Sequence, residues 1–194
     1  MEPDSSIRQA VETLRMGGVV AYPTETVYGL GAMLEREPVK RMLALKRRET
    51  IKPVSIAVCS LSMMERYATL HPNALELIGE LAPGPYTFVL AAKDTVPSEL
   101  LGGGSSVGIR FPSSHVALRL IEQVGGAITS TSANLSGMPP PTHWSDVELE
   151  VDFLLKGECE LKEHSTVIDA GELKILRRGA GADEAELLLS TVSP

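Results

Sequence analysis

Aromatic side chains are scarce in this 194-residue chain, at 4% of the total, and Trp144 is its sole indole. A core must therefore be built from Leu, Val, Ile, Ala and Met, and with 43% hydrophobic residues there is enough of them for one sizeable α/β core. Cysteine is nearly missing: Cys59 and Cys159 lie far apart with no C-x-x-C spacing, which excludes a disulfide framework and a zinc ribbon and suits a reducing compartment. Excess positive charge is missing too. A net charge of -7 excludes a protein that coats nucleic acid through a general basic surface, because such binding comes from neutralising phosphates, so any anion site must be local. No apolar run reaches membrane-spanning length, and the N-terminal MEPDSSIRQA is polar and acidic where a secretory leader is basic and then apolar. The expectation is a cytoplasmic protein with no membrane partner, folded as one domain over 1–194.

Several signatures of phosphate and acyl chemistry are also lacking. There is no G-x-x-x-x-G-K-[ST] phosphate loop and no G-x-S-x-G elbow. Gly29-Leu30-Gly31 opens like a dinucleotide fingerprint, but Leu34 occupies the next required glycine position. His71, His115, His143 and His164 stand singly, without metal-ligand spacing, and read as surface or loop residues.

What is present is an alternation of helical and strand patterns. Ile7, Ala10, Val11 and Leu14 recur at helical spacing behind Asp4 or Ser5, and Gly17-Gly18 end that helix. A strand is expected over 19–22, a loop over 23–32, and then a helix with Pro38 in its first turn and Val39, Met42 and Leu43 on its apolar side. Further strands are expected over 54–58, 86–92, 107–111, 127–130, 153–155, 166–169 and 174–176, with helices over 72–81, 116–124 and near 183–189. Alternation of this kind predicts a layered α/β sheet, and its irregular spacing predicts a mixed one.

Four features carry chemistry. Lys40, Arg41, Lys46, Arg47, Arg48 and Lys52 crowd one stretch of an acidic chain. A solvated helix face accounts for such a stretch, but Lys46 continues the Val39, Met42 stripe and is expected to point inward, where a cation needs an anionic partner. Residues 130–137, Ser-Thr-Ser-Ala-Asn-Leu-Ser-Gly, follow an apolar strand. They read either as turn and cap material or as a strand-end loop offering hydroxyl, amide and backbone N–H groups to a ligand. Residues 23–31, Pro-Thr-Glu-Thr-Val-Tyr-Gly-Leu-Gly, also follow a strand, and a tight turn with a buried tyrosine is their plain reading. Arg110 puts a cation inside the apolar strand Val107-Gly108-Ile109-Arg110-Phe111 and requires a carboxylate, from the protein or from a substrate.

Taken in order, the 23–31 segment, Lys46-x-Arg48, Gly108-Ile109-Arg110-Phe111-Pro112, Ser132-Ala133-Asn134-x-Ser136-Gly137, Ser165-Thr166-Val167-Ile168-Asp169 and Ile175-Leu176-Arg177-x-Gly179 resemble the YrdC-type threonylcarbamoyl-adenylate synthases. That resemblance implies a twisted mixed sheet with helices on both sides and a concave, positively lined groove. It implies synthesis of threonylcarbamoyl-adenylate from ATP, L-threonine and bicarbonate. ATP binding would fall to Lys46, Arg48, Lys52, Ser106, Ser132, Asn134, Pro140 and Arg177, with Lys46 and Arg48 acting on the chemical step and magnesium arriving on the phosphates. Threonine binding would fall to Thr24, Thr26, Arg110, Ser130 and Ser165, with the Arg110 fork on the carboxylate. Downstream partners would be a threonylcarbamoyl transferase complex and tRNA. The chain departs from the family pattern at Glu49, where a proline is usual, and at Ala57, where certain members carry a histidine. Two other readings stay open: a carbamoyl-adenylate-forming domain of the hydrogenase-maturation type, which shares this fold but uses carbamoyl phosphate, and a non-catalytic module for RNA binding or ribosome assembly.

Overall fold

A computed structural model describes residues 3–47 and 52–192. In chain order the elements are α1 (Pro3–Arg15), β1 (Val20–Tyr22), β2 (Gly29–Gly31), α2 (Arg36–Leu45), β3 (Ile56–Ala57), α3 (Leu61–Glu65), β4 (Ala68–Thr69), α4 (Pro72–Leu81) and β5 (Tyr86–Ala92). Then come β6 (Ser106–Arg110), α5 (His115–Val124), β7 (Ile128–Thr129), β8 (Thr131–Ser132), β9 (Phe153–Leu154), β10 (Thr166–Asp169), β11 (Lys174–Arg177) and α6 (Ala182–Val192). None of these helices is long and apolar enough to cross a membrane.

The strands form two twisted mixed sheets where the sequence pattern suggested one. The larger runs β11-β10-β5-β6-β3-β7, with β4 against the end of β5; the smaller runs β8-β2-β1-β9. β10 lies parallel to β5, β3 parallel to β6 and β9 parallel to β1, while the other pairs are antiparallel. β2 falls inside the segment read as a loop. Two of its three residues are glycines, so no side-chain pattern announces a strand, and its extended form comes from pairing with β1, Val20 opposite Gly31 and Tyr22 opposite Gly29.

Period-two alternation places helices on both sides. Ile56 of β3 packs into a core with Val39 and Met42 of α2, Leu77 of α4 and Ala185 of α6, whereas the next residue, Ala57, packs into a second core with Ile7 and Leu14 of α1 and Leu120 and Ile121 of α5. In β1, Ala21 belongs to the first core and Val20 and Tyr22 to the second. Helix ends follow the cap residues: the Ser114 hydroxyl accepts the Ala117 N–H at the start of α5, and Gly125, at φ 81°, ends it in the left-handed conformation.

The segment after β11 is wrapped tightly on the start of β10. Ala180 N donates to His164 O at 2.8 Å, Gly179 N donates to Thr166 Oγ1 at 3.0 Å, and that hydroxyl donates to Ala180 O at 2.9 Å. A Cβ at position 179 would overlap the carbonyl of His164, backbone that cannot step aside cheaply. Gly179→Ala is expected to cost about 1–3 kcal/mol in a urea titration, as overpacking does.

Candidate functional site

The same alternation that fills the cores leaves one face of the large sheet polar. On β5, Phe88 and Leu90 enter the core while Thr87 and Val89 face a cavity; on β6, Val107 and Ile109 enter the core while Ser106, Gly108 and Arg110 face it. β10 and its preceding residue add Val167 and Ser165, and β11 adds Arg177. The 24–29 turn, Ser55 before β3, and Ser130, Thr131 and Ser132 close the cavity from the other side, leaving a volume of about 510 Å3, within the range of small-molecule sites.

Arg110 is 6% exposed, and its carboxylate comes from the protein. Its NH2 donates to Glu25 Oε1 at 2.5 Å, and its NH1 donates to Thr26 Oγ1 at 2.8 Å. Glu25, 4% exposed, was quoted in the 23–31 motif without a role, and it neutralises the cation while its Oε2 accepts the Ser114 N–H at the start of α5. The Thr24 hydroxyl donates to Val27 O at 2.7 Å, so the 2.8 Å contact between the Thr24 and Thr26 hydroxyls must have Thr26 as donor. A directed chain results, from Arg110 through Thr26 and Thr24 to the turn's backbone. The open fork expected of Arg110 is thus partly taken by the protein, and Nε is a buried donor without a partner among the described residues.

Arg177 differs. Its NH2 donates to Ser165 O at 2.9 Å and Ser165 Oγ at 3.2 Å, and that hydroxyl contacts Thr87 Oγ1 at 2.9 Å. It has no carboxylate partner among the described residues. Burial first, and then the charge of Arg110, push its guanidinium below the ordinary arginine value. Two like charges face one cavity, and among the described residues Glu25 is the one carboxylate bonded to either, an arrangement with the charge to accept an anion.

Lys46 points inward as its place on the α2 stripe predicts, at 1% exposure. Its Nζ donates to Ser132 O and, at 2.8 Å, to Asn134 O, while its own carbonyl accepts the Ser136 N–H at 3.1 Å. The lysine therefore ties the end of α2 to the 130–137 loop. Asn134 closes that loop on itself, donating from Nδ2 to Leu135 O at 3.0 Å and Met138 O at 2.5 Å, and its buried Oδ1 has no partner among the described residues.

Of the residues implicated by sequence, Thr24, Ser106, Arg110, Ser130, Ser132, Ser165 and Arg177 line the cavity. Thr26 stands behind them on Arg110, and Lys46 and Asn134 stand behind Ser132. Lys52 and Pro140 are not lining residues, although Pro53, next to Lys52, is one. Arg48 and Glu49 lie outside the described residues. Ala57 is packed in the second core rather than at the cavity. Ser55, Thr87, Tyr28 and His164 line the cavity without having been singled out as site residues. The strand alternation could have found Thr87, which shares a face with Val89; nothing in the sequence marks Ser55 or His164. Tyr28 is held by Gly157, donating to its carbonyl at 2.8 Å and accepting its N–H at 2.9 Å, and burial pushes its phenol up to about 12.

Known proteins carry the same arrangement of chain. The Sua5/YciO/YrdC family model, described as telomere recombination, matches residues 12–179. The chain is 40% identical over 171 residues to the threonylcarbamoyl-AMP synthase of Pyrococcus abyssi, covering 87% of this chain and 48% of that protein, so it spans about half of that relative's length. It is 31% identical over 183 residues to the threonylcarbamoyl-AMP synthase of Vibrio parahaemolyticus, covering 90% of this chain and 99% of that one. The backbone superposes on the crystal structure of P. abyssi Sua5 complexed with L-threonine with a TM-score of 0.86 and 38% identity, over 92% of this chain and 55% of the other. With a family model covering all but the two ends and relatives alike in both sequence and backbone, the chain belongs to the Sua5/YciO/YrdC family.

Proposed function

We propose that the chain condenses L-threonine, bicarbonate and ATP into L-threonylcarbamoyl-AMP, a nucleotidyl transfer that releases pyrophosphate and supplies the activated group for threonylcarbamoyladenosine in tRNA. The observation that carries this reading is the convergence of Arg110 and Arg177, with the hydroxyls of Thr24, Thr87, Ser130, Ser132 and Ser165, on one cavity. Every substrate of the reaction brings an anionic group. The names of the P. abyssi and V. parahaemolyticus relatives, and the threonine complex of P. abyssi Sua5, support the same choice of substrate.

The chemistry asks for positioning rather than a protein nucleophile. The threonine amine takes up bicarbonate carbon to give a carbamate, and a carbamate oxygen attacks the α-phosphorus of ATP in line, expelling pyrophosphate. The cavity's task is to hold two anions together at a fixed angle. Glu25 already balances Arg110, so Arg177, anchored through Ser165, is the cation left to meet substrate charge. Ser130 and Ser132 sit on the wall that Lys46 fixes from behind, and Lys46, Arg48 and Lys52 are assigned to the nucleotide side. Magnesium is taken to arrive on the ATP phosphates as part of the substrate. A threonylcarbamoyl transferase complex and tRNA follow as downstream partners.

The test is pyrophosphate release from ATP with threonine and bicarbonate supplied singly and together. Release that requires both supports the reading; release that requires carbamoyl phosphate moves the chain to the hydrogenase-maturation chemistry, and salt-sensitive RNA affinity without turnover makes it a binding module. Within that assay Arg177→Met is expected to lower kcat/KM by at least about tenfold, the loss of one charge-assisted anion contact. Arg178→Met is expected to change it little, because Arg178 is exposed and spends its charge on Asp183 and Glu186.

A further inference from the structure

Forming the carbamate poses a problem that the anion-binding groups do not solve. At neutral pH the α-amino group of threonine is an ammonium ion with no lone pair for bicarbonate. A proton acceptor is needed at the cavity. Among the described residues that line it, the titratable ones are Tyr28, Arg110, His164 and Arg177. The two guanidiniums hold no free lone pair, and the Tyr28 phenol is engaged on both sides by Gly157.

His164 is left. It lines the cavity next to Ser165, whose hydroxyl joins Thr87 and Arg177, and it is close enough to Arg177 to feel that charge. Neither ring nitrogen hydrogen-bonds a described residue. The residues packed against its backbone, Gly179 and Ala180, bring no charge, and Ala180 N binds its carbonyl. The charged groups that act on it are Arg177 from β11 and Glu163 beside it in the chain.

We propose that His164 is the proton acceptor for the threonine amine in carbamate formation; the proposal rests on the threonylcarbamoyl-adenylate reading. The ammonium gives one proton to the imidazole, and the freed amine forms the C–N bond with bicarbonate carbon. The C–OH bond breaks, and the departing hydroxide leaves as water with the second N–H proton. The imidazolium then returns its proton to solvent, to which His164 remains exposed. Burial, and then the positive charge of Arg177, hold the imidazole below the ordinary histidine value, outweighing Glu163. Its free-base form therefore persists to lower pH than that of an isolated histidine.

The experiment follows threonine-dependent pyrophosphate release against pH for the wild type, His164→Gln and His164→Ala. In the wild type the acid limb is expected below the usual histidine range. Both variants are expected to lose about a hundredfold at neutral pH, the scale of general base catalysis. The loss should shrink as pH rises and the amine deprotonates unaided, and imidazole in solution should partly rescue His164→Ala. A loss equal at all pH values and indifferent to imidazole, or no loss at all, overturns the base assignment while leaving the synthase reading standing. A wild type whose pyrophosphate release ignores threonine overturns both.

Discussion

Glu25→Ala is expected to destabilise the protein by about 3–5 kcal/mol, the cost of leaving a buried charge without its partner. Arg110 and Glu25 are 6% and 4% exposed, so neither can turn to solvent when the other is removed. The same substitution takes the acceptor from the Ser114 N–H at the first turn of α5. Denaturant unfolding of Glu25→Ala, Arg110→Met and the double variant separates the contributions. The double variant is expected to be more stable than the sum of the single losses predicts, because removing both charges leaves neither stranded. Additive losses would mean that the pair is not coupled, and that Arg110 is balanced from elsewhere. Activity is expected to be absent in all three, since Arg110, Thr26 and Thr24 form one hydrogen-bonded chain into the cavity wall.

Lys46→Ala carries the second large effect, and Lys40→Ala is its control. Both belong to the basic stretch, yet one is 1% exposed and bonded to two loop carbonyls, while the other is exposed and pairs with Glu37 one helical turn away. Losing Lys46 leaves a cavity and strands the carbonyls of Ser132 and Asn134, about 3 kcal/mol by the usual costs of buried, unpaired polar groups. Turnover is expected to fall about a hundredfold as the Ser130 to Ser132 wall loses its support, a drop of the size seen when one electrostatic contact to the reacting groups is removed. Lys40→Ala is expected to shift stability by no more than about 0.5 kcal/mol and turnover hardly at all, as exposed helix pairs do. Thermal melts and the pyrophosphate assay, run on both, give the comparison; equal small effects would reduce the basic stretch to a solvated helix face.

The elements with strong periodicity were legible in sequence. Pro72–Leu81, Tyr86–Ala92 and Thr166–Asp169 coincide with their expected bounds because caps, prolines and alternation all agree there. Some short elements were not. β2 owes its strand to β1, and α3 is five residues long with only the Ser60 cap to announce it. β1 and β9 of the second sheet were expected at 19–22 and 153–155, but their pairing with each other and with β2 and β8, apart from the large sheet, joins partners far away in the chain that no local pattern marks. At the site, charge in an apolar setting was the reliable signal. It singled out Arg110 and Lys46, both of which are buried, and it required a carboxylate for Arg110 without telling protein from substrate. What one sequence could not supply was distance: that Glu25 reaches Arg110, or that His164 borders the cavity, depends on how β10, β6 and the 24–29 turn meet.

The sheets are closed by strands that come late in the chain. β9 lies against β1, Phe153 beside Val20, and β10 against β5, Thr166 beside Tyr86. During synthesis, a nascent chain that has reached α5 already holds both cores' main helices except α6, but its strands β1 and β5 still wait with open edges. The cavity wall carrying Ser165 and Arg177 can join only once that segment has left the ribosome, so the capacity to hold ligand arises in one step after Arg177 emerges rather than growing gradually with length.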